Sequence, residues 1–197
     1  MVEGVKYEPG NRKYNFTGNA GGVFVALWNP RESLGQGAAK TVSHLLSEIQ
    51  NGDCELVEEN NGLIRRVHVV NLSVSAQFDG KIHTLIEDRQ VFNEGTSQER
   101  IRKRRDLGGA VSEKIHSSED PDAAVPRAIH EELGIEGNVN FNKTRSEDID
   151  RDSPSFPGLR TQYRAHYYSA TLTGDQIHKK GYKEVQPDKT TYFVWGL

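Results

Sequence analysis

The chain has 197 residues, 35% of them apolar and 27% charged, and a formal net charge of -3. That length allows one ordinary domain with some added structure and a real core, while the near-neutral balance excludes a globally basic nucleic-acid binder and an acidic tail. The single cysteine, Cys54, excludes an internal disulfide, and with neither a secretory leader nor an apolar run of roughly 18 residues the expectation is an intracellular, cytoplasmic chain with no membrane partner.

Residues 1 to about 20 are polar, with scattered Gly, Asn and Pro, and read as a loosely docked arm. Gly21 to Trp28 reads as a buried strand ended by Asn29-Pro30. Ala39, Val42, Leu45, Leu46 and Ile49 recur at helical spacing, and Asn51-Gly52 stops that helix. Leu63 to Val74 and then Gly80 to Phe92 read as two strands joined through Phe78-Asp79-Gly80. The stretch from Asn93 to Arg105 is polar and charged and is expected to be a loop. A second helix follows near residue 121, then a long polar connection, a strand over Arg160 to Leu172, and a last aromatic strand, Thr190 to Leu197. Strands on both sides of a central helix predict an α/β (α+β) fold, a mixed sheet with helices packed on it.

The second helix carries the chemistry. Asp120 suits the cap, Pro121 the first turn and Gly134 the stop. Val125, Ile129 and Leu133 form one apolar stripe. Ala124, Arg127, Ala128, Glu131 and Glu132 form a second arc beside it. Arg127 and Glu131 are also spaced as an ordinary i,i+4 ion pair on a wet face. Acids at such spacing share one side of a helix and can hold magnesium or manganese, which prefer carboxylate oxygens.

From Glu119 the spacing runs seven residues to Arg127, and Ile129, Glu131, Glu132, Gly134 and Ile135 fall in step. This resembles the box of the Nudix hydrolases, matching seven of its nine defined positions. The resemblance is specific over residues 107–135 and implies a Nudix-like sheet sandwiched between helices over 61–197. Residues 1–60 are then an N-terminal αβ extension. It implies a hydrolase that uses Mg2+ or Mn2+ to cleave a pyrophosphate bond in a nucleoside diphosphate linked to another group. Glu131, Glu132 and the carbonyl of Gly108 or Gly109 would bind metal, and Arg127 would brace Glu119, which supports or supplies a ligand.

Two positions depart from the box. Glu113 stands where the opening glycine belongs, with Gly108-Gly109 farther upstream than usual, which an insertion within Ala110 to Ser118 explains. Ala128 stands where the family has a metal-binding glutamate, and alanine coordinates nothing. Three accounts stay open. Another acid substitutes, from Glu113, Glu119 or the Glu147/Asp148/Asp150 group; the module binds a nucleotide, RNA or protein without cutting; or a Glu→Ala change was engineered.

Arg100 to Arg105 puts five cations in six residues. That run could meet the phosphates of a nucleotide or of RNA, could be a solvated loop, or could be a nuclear-import signal. Arg105, Arg160 and Arg164 are the expected substrate-binding residues. Alternation along Arg160 to Tyr167 would set Arg160, Gln162, Arg164 and His166 on one polar face. Cys54 lacks any partner that would activate a thiol. Nothing in the sequence fixes oligomeric state, and a homodimer is compatible with it.

Overall fold

The computed structural model describes residues 5–8, 13–16, 35, 39–59, 62–104, 111–116, 118–187 and 189–197. The expected strand at 21–28 lies outside them, as do Arg105, Gly108 and Gly109. The fold is α+β. Strands β1 (Val5–Glu8), β2 (Lys13–Phe16), β3 (Glu55–Glu59), β4 (Gly62–Phe78), β5 (Lys81–Phe92) and β6 (Arg100–Lys103) come first, with helix α1 (Val42–Gln50) between β2 and β3. Then follow β7 (Val111–Ile115), α2 (Pro121–Leu133), β8 (Asn140–Asp152), β9 (Arg160–Leu172), β10 (Tyr182–Val185) and β11 (Lys189–Gly196).

Pairing is antiparallel between β1 and β2, β2 and β3, β3 and β4, β4 and β5, β5 and β6, β5 and β11, and β10 and β11. Strands β7 and β9 also lie beside β4, and β8 lies beside β9. The β4–β5 turn is Asp79-Gly80 with φ of 50° and 74°, the tight hairpin geometry expected of an Asp-Gly pair. Among the described residues, no helix is long and apolar enough to cross a membrane.

The chain divides into two compact units. The first comprises Met1–Val69, Lys114–Glu119 and Glu147–Ala165. Its core gathers Leu45 of α1 with Cys54, Leu56, Val67, Phe156 and Leu159. Helix α1 starts at Val42, capped by Thr41, so Ala39 precedes the helix. Inside this core sits an ion network. Glu48, 6% exposed, accepts from Arg65 at 2.5 Å, Lys40 at 2.7 Å and Lys114 at 2.8 Å, while the Arg65 guanidinium lies 5.1 Å from the Phe156 ring centre. Burial alone would raise the Glu48 carboxyl, but Arg65, Lys114 and Lys40 outweigh it and hold it at about 2.

The second unit comprises Val70–Glu113, Asp120–Ser146 and His166–Leu197. Its buried residues include Leu72, Val74, Leu85, Ile129, Tyr168 and Phe193. Helix α2 packs on β10.

Several expected loops are strands. Arg100–Lys103 pairs with β5 as β6, because a strand at a sheet edge needs only one partner and its side chains can all stay wet. The long polar connection contains β8, which has no apolar alternation because its side chains are mostly exposed. Cross-strand contacts hold it to β9 instead: Asp150 with Arg160, Asp148 with Arg164, and Arg145 stacked 3.8 Å from the Tyr167 ring centre. The stretch expected as an inserted loop contains β7, with Val111 and Ile115 buried at its two ends.

The polar face expected on β9 is only half correct. Thr161 and Ala165 are buried, but from His166 onward the buried positions are His166, Tyr168, Ala170 and Leu172. The inward phase shifts by one residue between Ala165 and His166. His166 therefore leaves the polar face and bonds Ser146 Oγ at 2.9 Å. Strand β4 shifts in the same way, from Arg65 and Val67 inward to Val70, Leu72 and Val74 inward.

Candidate functional site

Helix α2 forms where its caps dictate. Asp120 accepts the Asp122 N–H at 2.8 Å, Pro121 opens the first turn, and Gly134 closes the last in the left-handed region at φ 66°. Tyr168 donates to Asp122 at 2.5 Å, tying the first turn to β9. Pro126 interrupts the helix interior without ending it, and its side chain is exposed.

The buried side of α2 is wider than one stripe. Ala124, Val125, Ala128, Ile129 and Leu133 are all buried, and Ala128 is 0% exposed. Ala124 and Ala128 thus belong to the core side and not to an arc of exposed acids. Small side chains at these positions let the helix axis approach its neighbours closely. Arg127, Glu131 and Glu132 remain outside the core. Arg127 Nη1 donates to Glu131 at 3.1 Å and stands 4.0 Å from Glu113 of β7.

Glu132 is the electrostatic centre of this face. Burial pushes its carboxyl up to about 8, helped by the nearby carboxylates of Glu184 on β10 and Glu113, with Lys189 opposing. Glu184 accepts from Gln186 through one oxygen. Its other oxygen is buried and, among the described residues, receives no hydrogen bond from a fixed donor. A protonated Glu132 can donate to Glu184. Glu184 was not legible as a site residue: it lies 52 positions from Glu132 (184 − 132) on a four-residue strand with no pattern to mark it. Glu113 is legible in the sequence, as the acid in the place of the opening glycine and as one candidate to replace the carboxylate missing at Ala128.

The other expected residues are placed as follows. Glu119 belongs to the first unit, where its carboxylate accepts the His116 N–H at 3.2 Å. Arg160 is exposed and forked onto Asp150, with Nε to Oδ1 at 2.7 Å. Arg164 reaches Asp148 at 3.4 Å. Arg164 and Asp148 line a cleft of about 340 Å³ in the first unit, with Arg66, His68, Asp150 and Gln162. His130 is exposed and faces Glu136 at 3.2 Å. Burial pushes the Cys54 thiol up to about 11, as expected of an inert core cysteine. Among the described residues, no three His, Cys, Asp or Glu side chains converge as a ready metal cage.

No family model and no curated protein matches this chain. Solved structures that resemble part of it include DR0079 from Deinococcus radiodurans, at 17% identity and a TM-score of 0.38 over 66% of this chain. The match covers 65% of DR0079, just under two thirds of its length. An Ap4A hydrolase from C. elegans matches at 15% identity and a TM-score of 0.33, over 66% of this chain and 78% of that one. The E. coli ORF135 protein matches at 19% identity and a TM-score of 0.31, over 66% of this chain and 72% of that one.

Proposed function

We propose that this chain is a Nudix-type hydrolase, dependent on Mg2+ or Mn2+, that cleaves a pyrophosphate bond in a nucleoside diphosphate linked to another group. One observation carries the reading. Glu132, on the box helix, is partly buried within electrostatic reach of Glu184 and Glu113. A buried Glu184 oxygen that receives no hydrogen bond from a fixed donor among the described residues, and an all-oxygen donor set, suit a hard divalent cation. Glu132 and Glu184 would hold it, with Glu131 and the Gly108 carbonyl as the further expected donors. When bound, such an ion supplies Lewis-acid stabilisation of phosphoryl oxygens and lowers the pKa of a water.

The chain's own residues do the rest. Arg127 fixes the rotamer of Glu131 by their 3.1 Å contact, as outer partners of metal ligands do. Glu113, beside Arg127, takes the place of the carboxylate that Ala128 lacks. The Nudix-type domain in this reading is residues 61–197, with 1–60 an extension.

The buried position of Ala128 favours a second reading, a Nudix-fold module that binds nucleotide, RNA or protein without cutting. The deciding experiment measures phosphate or nucleotide release from ADP-ribose, dinucleoside polyphosphates, NADH, nucleoside triphosphates and capped RNA, with each metal. Turnover abolished by Glu132→Gln and reduced at least tenfold by Glu184→Gln supports the hydrolase. Silence across the panel moves the assignment to the binding module.

A further inference from the structure

The second unit contains a cleft of about 420 Å³, lined by Leu133, His178, Lys180, Gly181, Lys183 and Tyr192, with Tyr182 at its wall. We propose that this cleft is an anion site that takes a phosphoryl group of a small-molecule ligand, with Lys180 and Lys183 neutralising it. Its volume lies within the range of small-ligand pockets. Its described lining includes two lysines and a histidine, and Tyr192 there donates to the Glu94 carboxylate. Three lysines elsewhere are matched by close acids: Lys179 with Asp79 at 2.6 Å, and Lys40 and Lys114 with Glu48. Lys180 and Lys183 are exposed, and Lys183 lies within electrostatic reach of Glu94. Two lysines on a concave surface concentrate positive potential where an anion can settle.

The cleft is preformed by a pinned backbone. The His178 carbonyl accepts from Gly181 N–H at 2.8 Å and from Trp195 Nε1 at 2.8 Å. The His178 N–H donates to Tyr182 Oη at 3.1 Å, and that hydroxyl donates onward to the Gln176 carbonyl at 2.5 Å. A segment fixed this way loses little entropy when a ligand arrives.

Two lining residues are chain neighbours of the carboxylate group. Leu133 follows Glu132 in α2, and Lys183 precedes Glu184 in β10. A ligand with two linked phosphates would set one of them on the lysines. That choice of a diphosphate rests on the hydrolase reading, whereas anion binding by the lysines does not.

The test is calorimetric titration of the full chain with inorganic pyrophosphate, and separately with orthophosphate, at low salt and without divalent metal. The proteins are the unaltered chain, the Lys180→Gln/Lys183→Gln double variant, and Lys81→Gln as a control for loss of one exposed lysine elsewhere. The expected result is pyrophosphate binding that the double variant weakens about tenfold, that Lys81→Gln leaves unchanged, and that exceeds orthophosphate binding. Both lysines are exposed, so the double variant should melt with the unaltered chain. No binding by the unaltered chain, or equal binding by the double variant, overturns the proposal. Lysine-dependent binding without metal-dependent turnover sinks the hydrolase reading alone. Turnover with lysine-independent binding sinks the anion site alone.

Discussion

Burial raises two carboxyls, yet their net shifts run in opposite directions, and the difference is the balance of charges around them. Glu48 has three cationic partners and is held at about 2; Glu132 has acidic neighbours and is pushed up to about 8. The ordinary value for both is 4.5. Between pH 4.5 and about 8 the folded chain keeps the Glu132 proton that the unfolded chain has lost, so stability falls as pH rises through that window. Glu132→Gln should flatten that part of a melting-temperature profile. Glu48 contributes stability above pH 4.5 that is lost as pH falls toward about 2. Glu48→Gln leaves Arg65 buried and underpartnered and should lower stability by about 3 kcal/mol in denaturant titrations at neutral pH. Ala128→Glu, the change that would complete the family box, places a carboxylate at a position with no exposure. It should destabilise by about 3 kcal/mol or more, measured the same way. A variant that melts like the parent would mean that the new side chain escapes the core.

Among elements, α2 was readable to its ends because its punctuation is local: an aspartate cap, a proline in the first turn and a glycine stop. Strand β9 was readable because its apolar and aromatic residues are dense, yet which side chains share a face was not, since a one-residue change of phase leaves no mark in composition. Strands β8 and β10 were missed for different reasons. Strand β8 keeps nearly all its side chains in water, so backbone pairing and ion pairs define it. Strand β10 has only four residues. Its geometry depends on Gly181, where φ is +88° and an added Cβ would lie 2.0 Å from the Phe193 carbonyl oxygen. Gly181→Ala should cost roughly 2 kcal/mol or more and loosen β10, visible as faster amide exchange at Tyr182 to Val185.

At the scale of the whole molecule, the fold class was legible in the order of strand-like and helix-like stretches, whereas the division into two units was not. Each unit is assembled from three separated stretches of chain, and β4, β7, β8 and β9 contribute to both. No linker composition marks such a division. Cys54 offers a reporter on the first unit, because the thiol is buried and its proton is held to about pH 11. Thiol labelling of the native chain at pH 7.5 should be slower than that of the unfolded chain by at least a thousandfold and should rise with denaturant along with unfolding. Rapid labelling without denaturant would show that the first unit opens on its own.

The basic run at Arg100–Lys103 has a consequence that needs no ligand at all. It forms β6, whose described pairing is on one side only, to β5, and all four of its side chains are exposed. An open strand edge bearing the exposed Ile101 invites a strand from another molecule. Arg100, Arg102 and Lys103 make that approach repulsive between identical chains, since any two such edges bring like charges together. The same residues that look like a grip for phosphate therefore keep the protein from polymerising through its own backbone, and a chain stripped of them would be expected to aggregate before it failed to fold.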